Sequence, residues 1–189
     1  MPADLREARQ AGARALLAAE GLESLLVSHL PNIRYLTGFT GSAGVLLLDP
    51  DGAALFTDFR YATQAPAEVG DAAEVEIDSA SVWERLKHRC ADRPDRTVGF
   101  EAHALTVRDA GRLKKCVRRT APVGELVEGL RAVKAPEEVA AIAAAAELAS
   151  AALAEVLPTV RPGQSELLVA SRLEAALRRR GSEWHRFQT

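Results

Sequence analysis

Residues 24–58 read SLLVSHLPNIRYLTGFTGSAGVLLLDPDGAALFTD, and three apolar runs within this stretch decide the fold class. Ser24 to His29 is short and apolar, the pattern of a buried strand. Ala43 to Asp49 and Ala53 to Asp58 flank Pro50-Asp51-Gly52, residue types that favour a tight reversal, so the two runs are expected to pair as an antiparallel hairpin. Between the first run and the hairpin, Gly38-Phe39-Thr40-Gly41-Ser42-Ala43-Gly44 is glycine-rich. It lacks the Lys-Ser/Thr end of a phosphate loop and precedes a strand instead of opening a helix. It reads as a turn whose glycines allow positive φ and close backbone approach.

Working outward, Asp4 to Glu20 reads as an amphipathic helix with Asp4 as N-cap and Gly21 as terminator. Its expected inward face is Leu5, Ala8, Gly12, Ala15, Leu16 and Ala19. Downstream, a short helix over Phe59–Glu68, a strand over Ala73–Asp78, a helix over Val82–Ala91, a strand over Thr97–Ala102 and a helix over Thr106–Val117 alternate. Such alternation predicts an α/β fold, a mixed β-sheet flanked by helices.

From Leu126 onward alanine and glutamate dominate and no strand is apparent until the last few residues, which places a domain boundary between 125 and 126. The second part, 126–189, contains a linker and two helices. In the first of these, opened by Pro136, Val139, Ile142, Ala146, Ala149, Leu153 and Val156 recur along one face. Pro158 and Pro162-Gly163 break that helix, Ser165 caps the next, and Val169, Leu173, Ala176 and Leu177 form its stripe. Alanine supplies little apolar area, so these stripes are expected to need a further cover or to drive self-association.

The composition excludes several function classes. With 189 residues, 48% hydrophobic, 26% charged and a net charge of -2, the chain has no global field for nucleic acid or an anionic membrane. Neither partner is expected. Arg178-Arg179-Arg180 closes a predicted helix, where cations suit the negative end of the dipole. The two cysteines, Cys90 and Cys116, lack CxxC spacing and read as reduced thiols. The charged opening, Met1 to Glu7, does not read as a secretory signal, and Glu147, Glu155 and Pro158 interrupt the most apolar stretch. A cytoplasmic protein without a spanning segment is the expectation.

The run Asn32-Ile33-Arg34-Tyr35-Leu36-Thr37-Gly38-Phe39-Thr40-Gly41-Ser42, with the strand after it, resembles the creatinase/prolidase amino-terminal domain of the pita-bread metallopeptidase family, Xaa-Pro aminopeptidases among them. Phe56-Thr57-Asp58-Phe59-Arg60-Tyr61 looks like that family's T-D-x-R-Y element, and Val98-Gly99-Phe100-Glu101 like its later strand. Leu126 to Lys134, Pro136-Glu137-Glu138 and Arg161-Pro162-Gly163 resemble the junction into the catalytic domain, and Glu183 to Thr189 the approach to its first strand, with Arg186 a departure.

In a complete member the resemblance implies two divalent, manganese-like metals held by two aspartates, a histidine and two glutamates, and hydrolysis of peptide bonds next to proline. This chain has no aspartate after Asp109, so the resemblance implies an amino-terminal portion, truncated before the metal ligands, that binds no cofactor and is inactive alone. Its implied role is to assist dimerisation and substrate access. His29, His88, His103 and His185 lie on separate predicted elements without metal spacing, so structural roles and no metal site are expected. Arg60 is the candidate substrate-binding residue, reaching a partner's site to bind a carboxylate, with Tyr61 beside it. The competing readings are a local pair of Arg60 with Asp58 or Glu68, and core packing for Tyr61. Two other classes share the implied fold: a non-enzymatic protein-interaction module that has lost its metals, and a creatinase-like amidinohydrolase.

Overall fold

Successive side chains of a strand point to opposite faces, so an unbroken apolar strand must be covered on both. That is how the quoted stretch folds. The computed structural model describes residues 3–78 and 81–182, with side chains beginning at residue 5. In β1 (Ser24–Val27), Leu25 and Val27 enter one core layer and Leu26 the other. In β2 (Val45–Asp49) and β3 (Gly52–Asp58), Leu46, Leu48 and Leu55 join the first layer, whereas Leu47, Ala54 and Phe56 join the second. Burying each leucine or phenylalanine stabilises the fold by roughly 1.5–3 kcal/mol.

The remaining elements are α1 (Ala3–Ala19), α2 (Leu30–Thr37), α3 (Gln64–Val69), β4 (Glu74–Asp78), α4 (Val82–Cys90), β5 (Thr97–Glu101), α5 (Val107–Cys116), β6 (Arg119–Val123), α6 (Leu126–Ala132), α7 (Pro136–Val156) and α8 (Glu166–Arg179). The six-stranded sheet has the order β4-β3-β2-β1-β5-β6. β2 pairs antiparallel with both β1 and β3, while the β3–β4, β1–β5 and β5–β6 pairs are parallel. All strands but β2 therefore end on one edge of the sheet. Ala13, Leu17, Ile33, Leu36, Ala65 and Val127 carry α1, α2, α3 and α6 onto one face, and Leu86, Cys90 and Leu113 carry α4 and α5 onto the other. The expected mixed sheet flanked by helices is present.

Three elements go beyond the sequence reading: α2, β6, and α6, which forms where a linker was expected. α2 forms inside the motif: Pro31 suits its first turn and Gly38, at φ +88°, ends it in the left-handed conformation. β6 contains Pro122 and stands at the sheet edge, where a missing N–H costs no ladder bond. The single helix expected over 59–68 is instead a 3₁₀ turn, Phe59–Tyr61, followed by α3.

The inward face of α1 also differs from the expected one. Ala13 and Leu17 are buried together with Arg9 and Gln10, whereas Ala8, Ala15 and Ala19 face solvent. Polar side chains turn inward because carbonyls at helix ends need donors. Arg6 Nη1 donates to the carbonyls of Thr37, Glu68 and Val69 at 3.1, 3.1 and 2.7 Å, and Gln10 Nε2 to those of Leu36 and Ala72 at 3.1 and 2.7 Å.

The chain divides into two compact units, 1–133 and 134–189. α6 lies in the first, beyond the expected boundary at 125, because Val127 is 1% exposed inside the first core layer. In the second unit α7 and α8 pair through Ala152, Val156 and Ala176, with Val169, Leu173 and Leu177 partly buried around them. Leu153, expected in the stripe, is exposed along with Val139 and Ile142, because Ala152 meets α8 in its place. Pro136–Thr159 is one helical segment long and apolar enough to cross a membrane by length and composition alone. It carries Glu147, and Glu155, whose carboxylate pairs with Arg179 and Arg180 of α8. Glu183–Thr189, read as the approach to a catalytic strand, lies outside the described residues.

Candidate functional site

In open α/β sheets ligands gather at the carboxyl ends of strands, and here that edge carries two polar clusters. The first is built on the end of β3. Asp58 closes the strand and caps the 3₁₀ turn, its Oδ1 accepting from Arg60 N at 3.0 Å. The same carboxylate then takes the guanidinium in a fork, Nε to Oδ1 at 2.9 Å and Nη2 to Oδ2 at 2.7 Å. The hydrogen bond from Arg60 holds the Asp58 carboxyl below its usual range, and Asp58 in turn raises Arg60.

Arg60 also lies 5.3 Å over the ring of Tyr61, whose ring meets Phe39 edge to face at 5.3 Å. The Tyr61 hydroxyl accepts from Ser42 N at 3.0 Å and pairs with Ser42 Oγ at 2.7 Å, hydrogen bonds that lower its pKa. Gly41 is required for this arrangement: a Cβ there would lie 2.1 Å from Phe39 Cζ. Arg60 is thus held in the local pair with Asp58 that sequence allowed, yet its side chain remains 56% exposed. Glu68, the other partner considered, instead accepts from Thr40 N and Oγ1 at 2.7 and 2.6 Å.

The second cluster joins the ends of β1 and β5 to α6. Glu101, 2% exposed, receives Ser28 N and His29 N on Oε2, both at 2.7 Å, and Asn32 Nδ2 on Oε1 at 2.6 Å. It caps the start of α2 with a negative charge, where the helix dipole favours one. Asn32, fully buried, also donates to Glu128 Oε1 at 2.5 Å and accepts from Arg131 Nη1 at 2.8 Å. His29 Nδ1 and His103 Nε2 approach the same Glu128 oxygen at 3.2 and 3.1 Å. Burial works to raise the Glu128 pKa, but hydrogen bonds from Asn32, from its own backbone and from His29, together with the electrostatic effect of the nearby His103, outweigh it and leave it lowered.

Sequence spacing kept the histidines apart; the parallel pairing of β1 with β5 brings His29 and His103 together, rings 5.5 Å apart and at 81°. Asn32 and Glu101 already stood inside the resemblance motifs, without a role assigned. Glu128 likewise stood inside the junction motif Leu126 to Lys134, without a role assigned.

Among the described residues, His29, His103 and Glu128 are the one group of three or more metal-type donors that converges. Among the described residues, no group of two aspartates, a histidine and two glutamates converges as the dinuclear centre implied by the resemblance requires. No aspartate follows Asp109, and the second unit's Glu138 and Glu155 serve to cap α7 at Ala135 N and to pair Arg179 and Arg180. No hydrolytic step is assigned to these residues.

The sheet order and the two helix layers packed on its faces define the first unit as a three-layer α/β domain. Residues 9–133 match the Creatinase/Prolidase N-terminal domain, and the chain belongs to that family. It is 33% identical over 172 residues to the uncharacterized peptidase YqhT of Bacillus subtilis, a match that covers 90% of this chain and 48% of that protein. It is similar in structure to an Xaa-Pro dipeptidase from Bacillus anthracis, with a TM-score of 0.86 and 29% identity over 93% of this chain and 50% of the other. The N-terminal domain of the cytoplasmic peptidase PepQ from Mycobacterium tuberculosis is 38% identical, with a TM-score of 0.59 over 65% of this chain and 98% of that domain. The chain spans about half the length of the Bacillus proteins it matches.

Proposed function

We propose that the chain serves as the amino-terminal portion of a metal-dependent Xaa-Pro aminopeptidase or dipeptidase, supplying dimerisation and substrate access while hydrolysis belongs to residues it does not contain. The observation that carries this reading is its likeness to the Bacillus anthracis Xaa-Pro dipeptidase over 93% of the chain. In a complete protein the two metals would be manganese-like, the substrate a peptide with proline after the scissile bond, and the assembly a homodimer. A cytoplasmic location is supported by the likeness to a peptidase described as cytoplasmic.

Arg60 and Tyr61 are the residues we assign to substrate in this reading, acting in the partner's site. Asp58 and Tyr61 hold the guanidinium in one orientation while its exposed face stays open to a second acceptor. Part of the ordering entropy of a bidentate carboxylate contact is thereby removed in advance.

The test is a graft of residues 1–133 in place of the matching part of the Bacillus anthracis dipeptidase, assayed on Gly-Pro and Xaa-Pro-Yaa peptides with added manganese. Activity within about tenfold of the parent is expected, and Arg60→Ala in the graft should lower kcat/KM by about tenfold, some 1.4 kcal/mol. The isolated chain should show no turnover. Hydrolysis by the isolated chain, or a folded dimeric graft indifferent to Arg60→Ala, would overturn the assignment.

A further inference from the structure

We propose that His29, His103 and Glu128 form a mononuclear site for a borderline divalent cation, zinc foremost, that ties three distant segments of the first unit together. This inference does not depend on the peptidase reading.

The donor atoms of the three residues all lie within 4.8 Å of one another. A tetrahedral zinc ion with bonds of about 2.0–2.1 Å needs neighbouring donors roughly 3.3 Å apart. Two of the three edges already have that length: His29 Nδ1 to Glu128 Oε1 is 3.2 Å and His103 Nε2 to the same oxygen is 3.1 Å. Two imidazoles and one carboxylate are the donor set that zinc takes when a fourth position is left to solvent, and harder ions such as magnesium would not select it. The histidine side chains are 36% and 37% exposed and that of Glu128 21%, so an ion can enter and a water can complete the shell.

Two further observations point the same way. Glu128 Oε2 is buried and without a hydrogen-bond partner, while Asn32 and both imidazoles crowd onto Oε1. A buried carboxylate oxygen with nothing to accept is costly, and a cation bound at Oε1 would lessen that cost by neutralising the charge the two oxygens share. The shell behind the ligands is also built and rigid. Asn32, fully buried between Glu101 and Arg131, fixes the Glu128 carboxylate, and Glu101 fixes the backbone of His29. Such supports orient metal ligands in established sites. Binding needs His29 to carry its proton on Nε2 and His103 on Nδ1, a tautomer change that releases no proton from a neutral ring. The ion would then join the start of α2, the loop after β5 and α6.

The test uses the purified full chain, stripped with chelator and titrated with zinc chloride by calorimetry, with cobalt(II) absorption and X-ray absorption reporting geometry and donor type. One equivalent per chain is expected, with tetrahedral cobalt bands and a nitrogen/oxygen shell containing two imidazoles. His103→Ala and Glu128→Gln should each weaken binding at least tenfold, His29→Ala with His103→Ala should abolish it, and His88→Ala should leave it unchanged. Excess zinc should raise Tm in the parent and leave it unmoved in the double variant, whose fold is checked by circular dichroism. Failure to bind a stoichiometric ion, binding that survives the double variant, or sulfur in the shell from Cys90 or Cys116 would each overturn the site.

Discussion

Replacing Glu101 by glutamine changes one atom and one charge, and it should cost the first unit about 2–3 kcal/mol. Every group facing the carboxylate is a donor: Ser28 N and His29 N at 2.7 Å and, more weakly, Ser28 Oγ at 3.3 Å on one oxygen, and Asn32 Nδ2 at 2.6 Å on the other. A glutamine can offer its oxygen to only one side. If it serves the backbone, its amide opposes Asn32 Nδ2; flipping Asn32 to relieve this breaks its bonds to Glu128 and Arg131. One charge-assisted bond worth roughly 1.5–3 kcal/mol is lost and two weaken toward the neutral value of about 1 kcal/mol, offset in part by the easier burial of an amide. Against a total stability of about 5–15 kcal/mol this is readily measured. Urea unfolding in a Trp184→Phe background would let Trp83, packed against the second core layer, report on the first unit alone. Glu74→Gln is the control, since Glu74 pairs with Arg89 at the surface and should change stability by under about 1 kcal/mol. A Glu101→Gln loss below about 0.5 kcal/mol with an unchanged slope would refute the account of this buried carboxylate.

Other perturbations probe the rest of the framework. Gly41→Ala drives a methyl group onto Phe39 and should destabilise by about 1–3 kcal/mol, with Phe39→Leu in the same chain restoring much of it; additivity of the two changes in urea midpoints would count against the contact. Burial pushes the Cys116 thiol up to about 11, and Cys90 is also raised, so alkylation by iodoacetamide should be slow at pH 8 and keep rising past pH 10; a plateau below pH 9 would show the thiolate to be accessible earlier. Because these folded pKa values are raised, the thiols favour the folded state fully below their ordinary range near 8.5 and progressively less above it, so stability should fall with pH beyond about 9. In the second unit Ala176→Leu puts extra methylenes where Ala152 and Val156 leave no room and should cost about 1–3 kcal/mol; a rise in stability would mean that α7 and α8 separate easily.

The strands of the quoted stretch were legible because each is apolar without interruption, which only a doubly covered sheet position explains. α2 was legible in principle, since Pro31 and Gly38 bracket it, but eight residues are too few for a helical period to stand out between the apolar runs on either side. The inward face of α1 was not, because hydrophobic periodicity has no way to register Arg6, Arg9 and Gln10 as donors to distant carbonyls. The Asp58–Arg60 fork spans two residues and was within reach of sequence reasoning. The His29–His103–Glu128 cluster was out of reach: His29 and Glu128 stand 99 residues apart, and only the β1–β5 pairing and the docking of α6 make them neighbours.

The position of β1 between β2 and β5 also bears on the order of folding. β2 and β3 meet across a two-residue turn and β1 adds to them from nearby in the chain, whereas Glu101 reaches Ser28 across 73 residues. Loop closure over that distance comes after local pairing, so the antiparallel half should nucleate first and the β5–β6 half dock onto β1 late. The buried carboxylate would then act as a latch and not as a seed: in stopped-flow experiments Glu101→Gln should speed unfolding and leave the folding limb nearly untouched, whereas Leu47→Ala in the hairpin should slow folding itself.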